Sequence, residues 1–341
     1  MKELPAKILE TIRAGENPDL ADISSLISDK LVKVESLFSA MLTSKVGIIN
    51  SIGRYLSNSG GKRIRPLVHL LCARMCGHEE DRDVVFATIF ESIHTATLVH
   101  DDIIDNARTR RGRSTVNRKW GNTITVLLGD YLFTKSISHA IQDGDLRIIN
   151  KLAEITLQMI EGELMQEDTN GKADLAESEY IEIAKGKTAA LFAGCTSVAG
   201  MISSVSEEKI HALDDFGMNF GIAFQLVDDL LDFTADEKVL GKPVASDLKE
   251  GRLTLPLIYL LRIGVPEHRD LVLSVLNDEE ENQGLVDEIV KIVKENGVIR
   301  KAREKVLDHA AKAKSSLSIF KDSLYKNALM DLTDLIVFRN K

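Results

Sequence analysis

Apolar residues recur at spacings of three and four along most of the chain, in stretches rich in Ala, Leu, Ile, Glu and Lys. That rhythm marks helices with one buried face, built from residues that lose little on entering a helix. It predicts helices over 3–13 and 21–57, interrupted at Gly15-Glu16-Asn17-Pro18 and ended by Ser59-Gly60-Gly61. An apolar helix over 66–76, a surface loop at 79–83 and a long helix over 84–105 come next. Further helices are expected over 122–142, over 145–167, from near Ser178, and from Ser206 to Asp232. Ser206 suits an N-cap, with Glu207 and Glu208 in the first turn. Residues 253–341 read as more helices, parted at Gly264-Val265-Pro266 and at 277–283. There is no strand alternation, no short repeat and no linker rich in Gly, Pro or Ser. A single all-α domain over 1–341 is expected, with residues 1–30 peripheral and the polar stretch 234–252 as a candidate lid.

Composition narrows the picture. Hydrophobic residues are 44% and charged residues 28% of the chain, enough for a sizeable core and too apolar for disorder. With 341 residues and only six prolines, long helices are easily housed. The net charge of −9 argues against nucleic acid as a general partner. Cys72, Cys76 and Cys195 form neither a zinc pattern nor a disulfide framework, so they read as core residues of a cytoplasmic protein. The N-terminus has no apolar run after Lys2, so no signal peptide is expected. No stretch approaches the roughly 18 apolar residues of a membrane span.

Two strings interrupt the apolar rhythm with the same spacing. One is His100-Asp101-Asp102-Ile103-Ile104-Asp105, followed by Arg110-Arg111-Gly112; the other is Gln225-Leu226-Val227-Asp228-Asp229-Leu230-Leu231-Asp232. Residues four apart share a helix face, so Asp101 aligns with Asp105 and Asp228 with Asp232, each with its neighbour to one side. Carboxylates crowded in this way repel unless a cation lies among them, and hard oxygen ligands suit Mg²⁺. Acidic triplets are often solvated helix ends; two identical copies inside apolar sequence argue otherwise. Lys62, Arg63 and Arg65, and the arginines from Arg108 to Arg118, are basic islands in an acidic chain. Beside such Asp clusters they suit a phosphorylated anion.

Taken together these residues resemble the trans-isoprenyl diphosphate synthase (polyprenyl synthetase) family, over roughly residue 30 to the C-terminus. The resemblance rests on Gly60-Gly61-Lys62-Arg63-Ile64-Arg65-Pro66, on the first Asp cluster with Arg110-Arg111-Gly112, on Lys187-Thr188, on Phe224 through Asp232, and on Gly241-Lys242. It implies an isoprenoid synthase-type helical bundle around a central cavity, acting as a homodimer, with the two Asp clusters facing across its mouth and three Mg²⁺ ions between them. It assigns Asp101, Asp105 and Asp228 as direct metal ligands, and Asp102, Asp229 and Asp232 as ligands through water or outer-sphere contacts. Arg110, Lys187 and Lys242 match positions that grip an allylic diphosphate such as farnesyl or geranyl diphosphate. Lys62, Arg65, His94 and Arg111 match the isopentenyl diphosphate site. Thr188 and Gln225 match groups near the developing allylic cation. The family often has Lys where this chain has Arg252, so that position is left without a role.

The chemistry agrees with a reading made without the family. An allylic diphosphate leaves once its charge is neutralised, which favours C–O ionisation to a carbocation. The second substrate's double bond attacks, and a proton is lost to the departing diphosphate; no protein general base is identified. An apolar cavity must exclude water. Seven residues before Asp101, His94 sits almost beneath it on the helix. His100 beside Asp101 spells the His-Asp pair of phosphohydrolases, but the other His and Asp groups of that class are missing. Gln225, one turn before Asp229, should point toward the cluster, and Lys185 reads as a surface neighbour of Lys187.

The helix before the first Asp cluster also bears on product length. In short-chain family members bulky aromatics four or five residues before the first Asp form a floor. Here those positions are Thr97 and Ala96, so the floor is missing roughly 6–8 Å below the metals. Deeper floors are offered by Phe133, Ile137, Ala140 and Ile141, or by Phe86 and Phe90. The wording Ile93-His94-Thr95-Ala96-Thr97-Leu98-Val99-His100 resembles octaprenyl-type enzymes, whose long products serve as quinone side chains. The alternatives are a farnesyl or geranylgeranyl diphosphate synthase, a terpene cyclase of the same fold, which would leave Lys62, Arg65 and His94 unexplained, and a regulatory subunit, against which both intact Asp clusters argue.

Overall fold

Asp19 opens the first helix of the computed structural model, which describes residues 19–57, 60–110, 112–234, 244–276 and 283–339. Its carboxylate accepts the backbone N–H of Asp22 at 2.8 Å while Asp22 reaches back, a capping box that starts α1, Leu20–Ser25. The helix expected over 3–13 lies outside the described residues. The helix expected over 21–57 is three helices: α1, α2 (Ser28–Met41) and α3 (Gly47–Ser57). The second break has a local cause. Asn50 bonds both the N–H and the carbonyl of Ser44, at 2.8 and 2.9 Å, and closes the turn that leads into α3. Gly53 then lets α3 fold back on α2, because a Cβ there would stand 2.8 Å from the Cβ of Leu42. Ile23 and Ile27 are buried, so the chain from residue 19 onward already belongs to the core.

The chain forms two compact units from interleaved segments. The first comprises Met1–Glu154, Leu191–Asp214 and Leu317–Leu335; the second comprises Ile155–Ala190, Asp215–Ser316 and Ile336–Lys341. In the first, α4 (Ile64–Met75) and the long α5 (Arg82–Ile104) are buried along most of their length. Lys30 on α2 is buried against Asp83 at 2.6 Å and donates to the carbonyls of Glu79 and Glu80. The acidic loop is therefore partly a cation socket and not a solvated face, because a buried ammonium must be paired and hydrogen-bonded. After α5 the chain makes a small antiparallel hairpin, β1 (Thr109–Arg110) with β2 (Arg113–Ser114), turning at Gly112 with φ 72°. Two residues per strand are too few to show alternation, which is why the sequence reads as strandless. Then come α6 (Val116–Trp120), α7 (Asn122–Asp143) and α8 (Leu146–Thr169).

The second unit takes the end of α8, then α9 (Glu177–Ala184) and a π-turn, Lys185–Ala189, that leads into α10 (Ala190–Ile202). Its apolar core gathers Leu226, Leu230 and Phe233 of α11 (Glu207–Thr234) with Leu255 and Ile258 of α13 (Leu255–Arg262). Between them in the chain lies α12 (Ser246–Lys249), and after them come α14 (Pro266–Leu276), α15 (Gln283–Glu295) and α16 (Val298–Ser316); most of α17 (Leu324–Phe338) belongs to the first unit. The break expected at 264–266 occurs at Gly264, φ 78°; residues 277–282 of the other lie outside the described residues. Of the candidate lid, 235–243 also lies outside them. The remainder is packed down, with Ala245 and Leu248 buried and Ala245 N–H bonded to the Asp232 carbonyl at 2.9 Å. No helix among the described residues is long and apolar enough to cross a membrane.

Candidate active site

In the first unit the site residues collect at the C-terminal end of α5 and the N-terminal end of α4. Asp101 and Asp105 are half-buried and Asp102 is buried. The Asp102 carboxylate meets Arg110 Nε at 2.7 Å, so the hairpin hangs from the cluster it follows. Burial pushes the Asp102 carboxyl up, and the charge and hydrogen bond of Arg110 oppose this. Asn117 Nδ2 donates to the Asp102 carbonyl at 3.0 Å and helps end the helix there. The basic run before α4 divides its labour. Lys62 is exposed. Arg63, in the left-handed region at φ 48°, is ion-paired with Glu35 and with Glu91, the latter at 2.6 Å, and acts as a structural clamp. Arg65 lies with its guanidinium 4.6 Å from the centre of the Phe192 ring, and burial lowers its pKa. His94 is half-buried, and its carbonyl accepts the Thr97 hydroxyl at 2.8 Å. Arg111 lies outside the described residues.

Ala96 is buried in an apolar cluster with Phe38, Leu42, Ile52, Leu128 and Leu132, while Thr97 is half-buried. Of the deeper floor positions, Phe133 packs against that cluster and Ala140 is buried, as are Phe86 and Phe90. Ile141 is 57% exposed and points away from the core, so it forms no floor. His100 Nε2 meets the Val126 carbonyl at 3.1 Å in the space left by Gly129, where a Cβ would stand 2.1 Å from the ring. Its ring is thus a packing contact between α5 and α7, which removes the remaining support for the phosphohydrolase reading.

In the second unit Asp228 is exposed and ion-paired with Arg339, whose guanidinium also lies 4.7 Å from the Phe224 ring centre. Asp229 is buried. One of its oxygens accepts the Tyr180 hydroxyl and the other Gln225 Nε2 at 2.8 Å. Gln225 Oε1 accepts the Thr188 hydroxyl at 2.6 Å, which completes a chain Tyr180–Asp229–Gln225–Thr188. Burial, and then the charge of Asp247, raise the Asp229 carboxyl to about 7. Asp232 is buried and accepts the Asp247 N–H at 3.1 Å, so it anchors the returning segment. Lys187 Nζ lies 3.0 Å from Glu163. Lys242 lies outside the described residues.

The π-turn explains how Lys187 and Thr188 are aimed. Its wider backbone ring rotates the side chains after it relative to a continued α-helix. It packs on α8 through two glycines: a Cβ on Gly162 would stand 2.5 Å from the Lys187 backbone nitrogen, and one on Gly186 would stand 2.8 Å from the Gln158 carbonyl. A pocket beside it is lined by Gln166, Lys187, Gln225, Asp229, Asp247 and Arg252. Buried atoms around it, Gln166 Nε2, Asn170 Oδ1 and Thr254 Oγ1, have no hydrogen-bond partner among the described residues, as expected of a cavity built for a polar ligand. Tyr180, Glu163, Gln166 and Asp247 were not singled out in the sequence. Each carries no motif of its own and is recruited by packing alone.

Asp101, Asp105 and Asp228 keep carboxylate oxygens within reach of solvent, and hard oxygen donors of this kind fit magnesium. Among the described residues no three His, Cys, Asp or Glu side chains converge where they could hold an ion.

The described chain is almost wholly helical and carries two Asp clusters, the first tied to Arg110 and the second to Arg339, and comparison with known proteins gives it a family. Residues 46–293 match the polyprenyl synthetase family model. The chain is 33% identical to octaprenyl diphosphate synthase of Escherichia coli (strain K12) over 95% of its own length and 100% of that protein. It is 34% identical to a short chain isoprenyl diphosphate synthase of Methanothermobacter thermautotrophicus, over 84% and 88% of the two chains. Its fold superposes with a TM-score of 0.91, at 31% identity, on a polyprenyl synthase from Caulobacter crescentus CB15 complexed with calcium and isoprenyl diphosphate, covering 96% of this chain and 99% of that one. The chain belongs to the polyprenyl synthetase family. It is a trans-prenyltransferase.

Proposed function

We propose that the protein condenses an allylic prenyl diphosphate, farnesyl or geranyl, with successive isopentenyl diphosphates to give an all-trans, octaprenyl-type diphosphate for a quinone side chain. The observation that carries the long product is Ala96, a small side chain one turn below the Asp cluster and set among apolar neighbours. Octaprenyl diphosphate synthases among the relatives support the same length; the short-chain relative favours a second reading, a product of three or four isoprene units.

Magnesium, three ions held by Asp101, Asp105 and Asp228 with Asp102, Asp229 and Asp232 acting through water, would neutralise the charge of the leaving diphosphate. Arg110, Lys187 and Lys242 hold the allylic diphosphate, and Lys62, Arg65, His94 and Arg111 hold the isopentenyl diphosphate. The allylic C–O bond breaks with its electrons going to the diphosphate. The isopentenyl double bond then forms the new C–C bond, and a proton passes to the departing diphosphate. Thr188 spends its hydrogen on Gln225, so it presents oxygen lone pairs to its surroundings, which suit a developing cation. Three unpaired cysteines agree with a cytoplasmic setting.

Incubation with Mg²⁺, labelled isopentenyl diphosphate and farnesyl diphosphate, followed by sizing of the products, tests this. An octaprenyl-sized product is expected, and Ala96→Tyr should shorten it to farnesyl or geranylgeranyl length. Asp101→Ala and Asp228→Ala should each lose at least about a hundredfold in turnover with the helical circular dichroism unchanged. No incorporation would overturn the reading; wild-type products stopping at geranylgeranyl would transfer it to the short-chain class.

A further inference from the structure

The hairpin 109–114 carries Arg110, and two residues per strand cannot hold themselves together in water. It is therefore held by what it touches. At its base Thr115 bonds the Arg108 carbonyl through its N–H at 3.2 Å and the Ala107 carbonyl through its hydroxyl at 2.8 Å. On one strand Arg110 is tied to Asp102 at 2.7 Å. On the other, the Tyr55 hydroxyl of α3 donates to the Ser114 carbonyl at 2.6 Å. Ser114 is the cross-strand partner of Thr109, and Arg113 of Arg110, so a hold on Ser114 is a hold on the arginine strand.

Tyr55 is itself fixed. Its ring meets Trp120 edge-on, with centroids 5.3 Å apart and planes at 71°. The Lys119 ammonium lies 4.3 Å from the Tyr55 ring centre and 4.8 Å from that of Trp120, a cation shared by two aromatic faces. One of the three ties is exchangeable. Arg110 and the Asp102 carboxylate are the groups that a diphosphate and its metal would recruit, and each such contact competes with the ion pair. Once Arg110 turns to a diphosphate, the bond from Tyr55 to Ser114 still holds the paired strands themselves.

We propose that Tyr55 is a positioning residue for prenyl transfer: it keeps the arginine hairpin in place while Arg110 exchanges Asp102 for a substrate diphosphate. This rests on Arg110 being a diphosphate ligand. The effect belongs to binding, in the ground state and the transition state alike, so it appears in KM and not in kcat.

Tyr55→Phe tests it cleanly, since the ring contacts with Trp120 and Lys119 survive and only the hydroxyl is lost. Loss of one hydrogen bond should raise the KM for the allylic diphosphate about three- to tenfold, with kcat unchanged. Trp120 is the single tryptophan of the chain, so its emission reports on this cluster without any turnover. Titration with magnesium pyrophosphate should change that emission saturably in the wild type, and the half-saturation point should move about three- to tenfold higher in Tyr55→Phe. Tyr131→Phe is the control: its hydroxyl faces the carbonyls of Met41 and Thr43 at 3.4 Å, away from the hairpin, and KM should stay at the wild-type value. A Tyr55→Phe enzyme with wild-type KM and half-saturation, or with only a lowered melting temperature, overturns the proposal. The pyrophosphate shift without prenyl product would leave the proposal standing while the prenyl-elongation reading falls; prenyl product with no shift in either quantity would do the reverse.

Discussion

His69 is buried with Nδ1 2.7 Å from the Cys195 carbonyl, to which it donates as the neutral ring, and with no partner among the described residues for Nε2. Burial is the main cause that lowers its pKa from 6.5 to about 4. The sign follows from linkage. Between those two values the unfolded chain binds a proton that the folded chain refuses, so stability falls as pH drops through that window and is unaffected above it. At full effect this amounts to roughly 3 kcal/mol. His69→Asn, which can still donate to Cys195, should flatten the dependence: urea midpoints measured from pH 7 to pH 4 should decline less steeply than in the wild type. Equal slopes would show that His69 is not the group responsible. The same scale separates neighbours that look alike in sequence. Lys62, Arg63 and Arg65 form one basic run, but only the fold shows that Arg63 is committed to Glu35 and Glu91.

Among elements, α5 was legible end to end, since a long apolar run finishing in charged residues leaves little choice of boundary. The π-turn was not legible. Lys185-Gly186-Lys187-Thr188 fits an ordinary helix, and the wider turn follows from backbone contact with Gly162 on α8. Gly162→Val should force the two backbones apart, since the new Cβ would meet main chain and not a flexible side chain. Overpacking of this kind costs about 1–3 kcal/mol. Displacing Lys187 and Thr188 by even about 1 Å should lower turnover about a hundredfold. Thermal melting with single-turnover kinetics on the same sample checks both. A variant with normal kcat would show that the close approach does not aim the site.

For the whole molecule, α8 carries Leu157, Ile160 and Leu164 at spacings of three and four, each more than half exposed at 57%, 54% and 64%. Leu127 on α7, 59% exposed, is another large apolar side chain left in water. A stripe of this kind marks an interaction face, which the second copy in the homodimer implied by the family resemblance would cover. Sedimentation should give a dimer at assay concentrations, and Ile160→Asp with Leu164→Asp should shift it toward monomer. A monomeric wild type would reject this. From sequence the stripe was indistinguishable from a core face, because periodicity records which side of a helix is apolar and not what covers it.

What the sequence determined alone was the helical class, the two repeated Asp strings and the family, because these depend on local periodicity and on short strings whose chemistry is carried by adjacent residues. What only the tertiary structure decided depends on residues far apart in the chain: Tyr180 reaching Asp229 across 49 positions, Tyr55 reaching Ser114 across 59, and Lys30 reaching Asp83 across 53. No local pattern encodes such pairs, since each is fixed by how helices pack and by which buried polar group needs a partner.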